Sequence, residues 1–345
     1  MKNTTMRPQL FQAHFQLTRR CNLACEFCGQ HRGLIGCVKD DIRLDEWLAV
    51  AGEVQAMASE TGAVPEITLW GGEPLLYPFF DELAENLHAG GFRLNLVTNG
   101  GLLDRHLASV AECIDHLFVS LDGPQEIHDS IRGAGVFARV AENLGKLNPA
   151  RRGRLTFLTT LADGNVAQAA QLPLALAFLH PDEVVLQPMM YLTAEEIQKY
   201  RDFSRREFQS DYAELLGWRR DEDWEYLAAL QAALREVEHT PYPFPVLYTP
   251  HRYPQMASSG ACEAPWTRVH IRCDGAVGFC TDYFGFSAGN IRQQSLRAIF
   301  LGERAESFRQ AVLDCALPTC DHCPWHRQHL LPCQNSFVKQ TKVTA

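Results

Sequence analysis

Apolar runs at residues 13–18, 66–70, 92–97, 116–121, 154–161 and 183–188 have the length and the β-branched or aromatic content of strands. Between them the period changes. Leu44, Trp47, Leu48, Ala51, Val54 and Met57 fall at steps of three and four, which lays one apolar stripe along a helix. Phe80, Leu83 and Leu87 repeat that spacing, as do Val136, Val140, Leu144 and Leu147. Six strands alternating with helices predict βαβ units around a parallel sheet, either doubly wound or rolled into a partial (β/α) barrel. In both architectures reactive groups belong at the carboxyl ends of the strands.

Beyond residue 188 the alternation stops. Thr193 and Glu196 have the spacing of a capping box, which predicts a helix start, and a second helix is expected over 222–238. The proline-rich stretch TPYPFPVLYTPHRYP at 240–254 reads as an extended linker. Residues 262–345 are too few to bury much of a core, and seven cysteines there look like the substitute.

Composition sharpens the picture at one point. The 345-residue chain holds 12 cysteines, three within 21–28, seven within 262–333, and only Cys37 and Cys113 elsewhere. The N-terminus shows no apolar segment followed by a cleavage site, and no run of about 18 apolar residues occurs, so a soluble, cytoplasmic protein with no membrane partner is expected. In that compartment clustered thiols are metal ligands or catalytic groups rather than disulfides. A net charge of −9 speaks against a nucleic-acid surface, and the short RRGR at 151–154 reads as a solvated loop.

The stretch CNLACEFCGQ follows the first strand and sets Cys21, Cys25 and Cys28 at gaps of three and two residues. Three thiolates can converge there, but a fourth ligand is missing, whereas structural zinc wants four. An iron-sulfur cluster fits three cysteines when a small molecule chelates the remaining iron. The other strand ends are polar and glycine-rich: GGEP after the second, TNG after the third, and SLDG closing the fourth.

Taken together, the CX3CX2C motif with Phe27 before its last cysteine, then GGEP, TNG and SLDGPQEIHDSIRG in that order, resemble a radical S-adenosylmethionine enzyme over residues 10–190. The resemblance implies an α/β fold, a partial (β/α)6 barrel. It also implies that Cys21, Cys25 and Cys28 ligate a catalytic [4Fe-4S] cluster and that Phe27 lies against the adenine of S-adenosylmethionine. Gly71, Gly72 and Glu73 would meet the methionine amino group. Ser120 and Asp122 would meet the carboxylate and ribose, with Arg132 neutralising the carboxylate, while His128 and Asp129 organise their loop.

The tail has a second signature. Cys262, Gly275, Cys280, GNI at 289–291, LRAIF at 296–300, FR at 308–309 and CDHCPW from 320 resemble the twitch or SPASM extensions of that superfamily. By that resemblance a hairpin at 267–280 presents Cys262 and Cys280, which with Cys320 and Cys323 hold one auxiliary [4Fe-4S] cluster. Cys315 and Cys333 are surplus. The implied domains are 10–190 (barrel), 191–255 (helical insert and linker) and 256–345 (cysteine-rich C-terminal domain).

The implied activity is reductive cleavage of S-adenosylmethionine to a 5′-deoxyadenosyl radical, followed by oxidative modification of a C–H bond in a peptide or small-molecule substrate. An electron donor such as flavodoxin or ferredoxin is implied as well. Because the barrel begins near residue 10, no N-terminal leader-binding module is expected. Asp282, two residues past Cys280, is the candidate base, against a plain reading as a turn cap. Two alternatives stand beside this: a radical epimerase using Cys37, Cys113, Cys273 or Cys333 as hydrogen donor, and a zinc-scaffolded binding module without redox chemistry.

Overall fold

The computed structural model describes residues 6–29, 41–211, 213–221, 224–248, 262–281, 283, 285–318, 320 and 331–332. Its strands are β1 (Gln12–Thr18), β2 (Glu66–Gly71), β3 (Arg93–Thr98), β4 (His116–Ser120), β5 (Arg154–Leu161) and β6 (Glu183–Pro188), then β7 (Val246–Tyr248), β8 (Arg268–Ile271), β9 (Ala276–Gly278), β10 (Gly289–Asn290) and β11 (Leu331–Pro332). All belong to one sheet in the order β10-β9-β8-β1-β2-β3-β4-β5-β6-β7-β11. The helices are α1 (Leu44–Ser59), α2 (Phe80–Ala89), α3 (Leu107–Cys113), α4 (Gln125–Arg132), α5 (Val136–Leu147), α6 (Leu172–Leu176), α7 (Ala194–Phe208), α8 (Trp224–His239), α9 (Ala264–Thr267), α10 (Leu296–Phe300) and α11 (Glu303–Leu313).

The order of β1 to β6 decides between the two architectures that periodicity left open. A doubly wound sheet reverses its strand order, whereas here six parallel strands follow one another in sequence. Right-handed crossovers then place the helices on one face, as in a partial barrel. Phe15, Leu69, Leu96, Leu117 and Leu155 sit in register across β1 to β5, and none is more than 3% exposed. Trp47 of α1 stacks on Phe15 with ring centroids 4.4 Å apart. Burial of a side chain of this size contributes about 1.5–3 kcal/mol.

The opposite face of the sheet is polar. His14, Thr68, Asn95 and His116 form the neighbouring register row. Asn95 Nδ2 donates to Glu66 Oε1 at 2.9 Å and to Thr68 Oγ1 at 3.2 Å, and His116 Nε2 lies 2.7 Å from Thr156 Oγ1. Fully covered parallel strands usually carry apolar residues on both faces. Here one face has been given over to a lined interior.

Two expectations change. Part of the proline-rich linker is strand β7, which pairs parallel to β6, and Pro245 stands just before it with its carbonyl accepting from Val184 N at 3.0 Å. Proline at the entry of a strand removes no ladder donor. The cysteine-rich tail, expected to rely on its cysteines, also has an aromatic core, in which Tyr283 stacks on Tyr200 of α7 at 4.1 Å and Phe286 packs on Phe208 at 4.6 Å and Phe308 at 4.7 Å. Its first strand, β8, pairs parallel to β1, with Gln12 opposite Arg268 and Phe15 opposite Ile271. The capping box is formed: Thr193 N donates to Glu196 Oε2 at 2.7 Å and Glu196 N to Thr193 Oγ1 at 3.2 Å. Among the described residues no helix is long and apolar enough to cross a membrane.

Candidate active site

At the carboxyl end of β1 the chain turns into the three-cysteine loop, and all three thiols line a cavity of about 760 Å³. Cys21 is exposed, Cys28 half-buried and Cys25 7% exposed. Burial pushes the Cys25 thiol up to about 11 despite the Arg132 guanidinium beside it, and raises Cys21 as well. Arg132 Nη1 lies 3.9 Å from Cys25 Sγ, and its guanidinium sits 5.4 Å from the Phe27 ring centroid. Among the described lining residues four are arginines, Arg19, Arg20, Arg132 and Arg272, and none is Asp, Glu or Lys. Such a lining favours thiolate and carboxylate ligands.

The loop is held by the next two strand ends. Gly72 N and Glu73 N each donate at 2.8 Å, to Thr18 O and Arg20 O. Gly71 has φ +151, and a Cβ on Gly72 would come within 2.3 Å of Arg20 O, so only glycine lets the two backbones meet. Asn99 Nδ2 donates to Asn22 Oδ1 at 2.9 Å and lies 3.9 Å from Cys21 Sγ. The TNG motif, to which the sequence assigned no role, thus orients the cysteine loop.

Glu73 and Asp122, expected to meet the methionine amino group and the ribose, are buried and are not among the residues that line the cavity. Glu73 is fully buried; it accepts from Thr98 Oγ1 at 2.7 Å, Asn99 N at 2.8 Å and Leu75 N at 3.1 Å, and burial raises its carboxyl. Asp122, also fully buried, receives Arg132 Nε at 2.5 Å and Nη2 at 3.2 Å, and Thr160 N at 2.9 Å. A buried carboxylate is stable only when so paired, and three of its roughly four acceptor sites are filled in each case. Gly71, Gly72, Ser120, Phe27 and Arg132 do line the cavity. His128 Nδ1 accepts from Asp122 N at 3.1 Å, and Asp129 accepts from Gly135 N and Phe137 N, each at 2.8 Å, so both organise their loop.

Trp218, which the sequence did not single out, lines this cavity together with a side pocket of about 210 Å³. Phe27 borders both spaces too, and Ala162 and Met189, just past β5 and β6, close the side pocket. An isolated tryptophan in a helical insert gives no periodic signal.

Cys262, Cys280 and Cys320 line a second cavity of about 390 Å³ inside the sheet, while Cys323 lies outside the described residues. Trp70, Val97, His270, Cys280 and Thr281 border both large cavities and make up the neck, the boundary that the two share. Asp282 also lies outside the described residues, next in sequence to Thr281 of that neck. Of the thiols considered as hydrogen donors, Cys113 and Cys273 are buried in the core, Cys273 being pushed up to about 12 by burial, and neither lines the two large cavities or the side pocket. Cys37 and Cys333 lie outside the described residues. No group of three or more His, Cys, Asp or Glu among the described residues is placed to hold a single metal ion.

Residues 15–168 match the radical SAM superfamily model, and residues 262–324 match the SPASM model, described as an iron-sulfur cluster-binding domain. Together the two segments take in more than half of the chain. An S-adenosylmethionine-dependent nucleotide dehydratase of a Thermoplasmatales archaeon is 30% identical over 134 residues; the match covers 38% of this chain and 45% of that protein, so it spans under half of the relative's length. A tungsten-containing aldehyde ferredoxin oxidoreductase cofactor-modifying protein of Pyrococcus furiosus is 24% identical over 90% of this chain and 86% of its own. In fold, the chain is similar to Streptococcus suis SuiB, solved bound to S-adenosylmethionine, with a TM-score of 0.64 and 14% identity over 87% of this chain and 68% of that one.

Proposed function

We propose, from the premise that this chain belongs to the radical S-adenosylmethionine superfamily and carries a SPASM domain, that it oxidatively modifies a C–H bond of a peptide or small-molecule substrate seated between its two cysteine sets. As a member of that superfamily it is an enzyme that binds a [4Fe-4S] cluster and S-adenosylmethionine, with auxiliary iron-sulfur chemistry in the SPASM domain, which sets aside the zinc-scaffold reading. The observation that carries the proposal is the shared neck. Cys280 borders both the cavity of the three-cysteine loop and that of the auxiliary cysteines, which supports a substrate held between the two sets.

The residues present suit the groups the family uses. Soft thiolates are the usual donors to iron-sulfur clusters, and three of them open on one arginine-lined space. When bound, the cluster and S-adenosylmethionine supply a 5′-deoxyadenosyl radical that takes a hydrogen atom from substrate. In our reading Cys21, Cys25 and Cys28 hold the catalytic cluster, and Arg132 offers Cys25 a charge-assisted contact. Gly71 and Gly72 present bare backbone to the methionine end, Ser120 and Arg132 take the carboxylate, and Phe27 with Trp218 brackets the adenine at the side pocket. Glu73 and Asp122 act from beneath by fixing Asn99 and Arg132.

Cys262, Cys280, Cys320 and Cys323 hold the auxiliary cluster in this reading, and Asp282, beside Thr281 of the neck, removes the proton that oxidation releases. A donor such as flavodoxin or ferredoxin delivers the reducing electron. Anaerobically reconstituted protein with dithionite should convert S-adenosylmethionine to 5′-deoxyadenosine and methionine without substrate. Joint replacement of Cys21, Cys25 and Cys28 by Ala should abolish it, and cleavage that survives the triple replacement overturns the assignment.

A further inference from the structure

Three residues that line the larger cavity each carry a buried polar atom with no hydrogen-bond partner among the described residues: Gln16 Oε1, Trp70 Nε1 and His270 Nδ1. Gln16 and His270 are each 7% exposed. Buried polar atoms left unpaired cost about 1–3 kcal/mol each, so three on one wall call for a ligand that satisfies them. They come from adjacent strands, Gln16 on β1, Trp70 opposite it on β2, and His270 on β8 at the other side of β1. The Trp70 and His270 rings meet edge to face at 6.5 Å. Both also line the neck, where a substrate atom must sit to communicate with both cysteine sets.

We infer that Gln16, Trp70 and His270 recognise a neutral carboxamide of the substrate, a peptide unit or an Asn or Gln side chain. The inference rests on the reading that this cavity is the substrate site. The carbonyl oxygen accepts from Trp70 Nε1, and the N–H group donates to Gln16 Oε1 or to His270 Nδ1. Burial beside Arg268 lowers His270 to about 3, and burial lowers its edge-to-face neighbour His14 too, so both rings are neutral at physiological pH. None of the residues that border both cavities is Asp, Glu, Lys or Arg, so the neck itself selects hydrogen-bonding pattern rather than charge.

Ligand-observed fluorine NMR of the anaerobic, cluster-loaded enzyme with S-adenosylmethionine tests this, using 4-fluorobenzamide and its apolar counterpart 4-fluorotoluene as probes. A site built for hydrogen bonding rejects the analogue that lacks them. The amide should bind at least about tenfold more tightly than the toluene, and Trp70→Phe should remove most of that preference. Equal affinities in the wild type, or a preference untouched by Trp70→Phe and Gln16→Leu, overturn the inference; should the variants misfold, the wild-type comparison still decides. Wild-type protein that cleaves S-adenosylmethionine yet shows no amide preference refutes the recognition alone. Wild-type protein that does neither refutes the reading beneath it.

Discussion

The Trp218 indole lies over Gly29 so closely that a Cβ placed on Gly29 would fall 2.5 Å from a ring carbon. Gly29 directly follows the last thiol of the cysteine loop, so the indole and the loop are fitted to each other without slack. Gly29→Ala must push the indole aside, and such overpacking costs about 1–3 kcal/mol. Affinity for S-adenosylmethionine, measured by equilibrium dialysis, should fall between about fivefold and a hundredfold. An unchanged affinity would mean that Trp218 is no wall of that site.

Asp122 and Arg132 form a buried pair with two contacts, at 2.5 and 3.2 Å. Asp122→Asn strips Arg132 of its counter-charge inside the fold and should cost about 3–5 kcal/mol in urea unfolding. Combining it with Arg132→Met should cost clearly less than the sum of the single changes, since the two residues share one interaction. Additive losses would show that the pair is not coupled.

Acid should weaken the fold through His128. Its ring is fully buried, accepts from Asp122 N, and faces the charges of Asp122, Arg132 and Asp129; burial holds it down at about 4. A free histidine titrates near about 6.5, so below that value the unfolded chain binds a proton that the folded one refuses. Stability from this residue is whole above pH 6.5 or so and drains away as pH falls toward 4. Urea midpoints measured between those limits should drop, and His128→Gln should flatten the slope. A slope identical in the variant would place the titrating group elsewhere.

Cluster number is countable. Two cubanes require about eight irons per chain, and loss of Cys320 and Cys323 should remove about half of them while cleavage of S-adenosylmethionine continues. A wild-type count near four would leave the SPASM cysteines without a cubane.

Strands β1 to β6 could be read from the sequence because a period of two gives way to one of 3.6 at glycine- and proline-marked borders. The three cysteines after β1 stood out by spacing alone. The direction of a motif residue at a strand end did not, because a shift of one residue turns a side chain to the other face: Glu73 and Asp122 are fully buried and hydrogen-bonded outside the cavity lining. Nor did β7, three residues among prolines, or the partnership of β8 with β1, which no local pattern records. Gln16, Trp70 and His270 looked like ordinary strand residues, and only their convergence marks them.

The seam between β1 and β8 also sets a timetable for synthesis. The side chains of Gln12 and Arg268, hydrogen-bonded across that seam, are separated by 256 residues. At about 5–20 residues per second, β1 waits on the order of ten to fifty seconds after emerging before β8 exists to cover it. Through that interval the nascent barrel shows a bare strand edge, the kind that recruits other chains. A ribosome stalled before β8 should therefore yield aggregation-prone product, and the cell has reason to keep chaperones close to this messenger until its last quarter is translated.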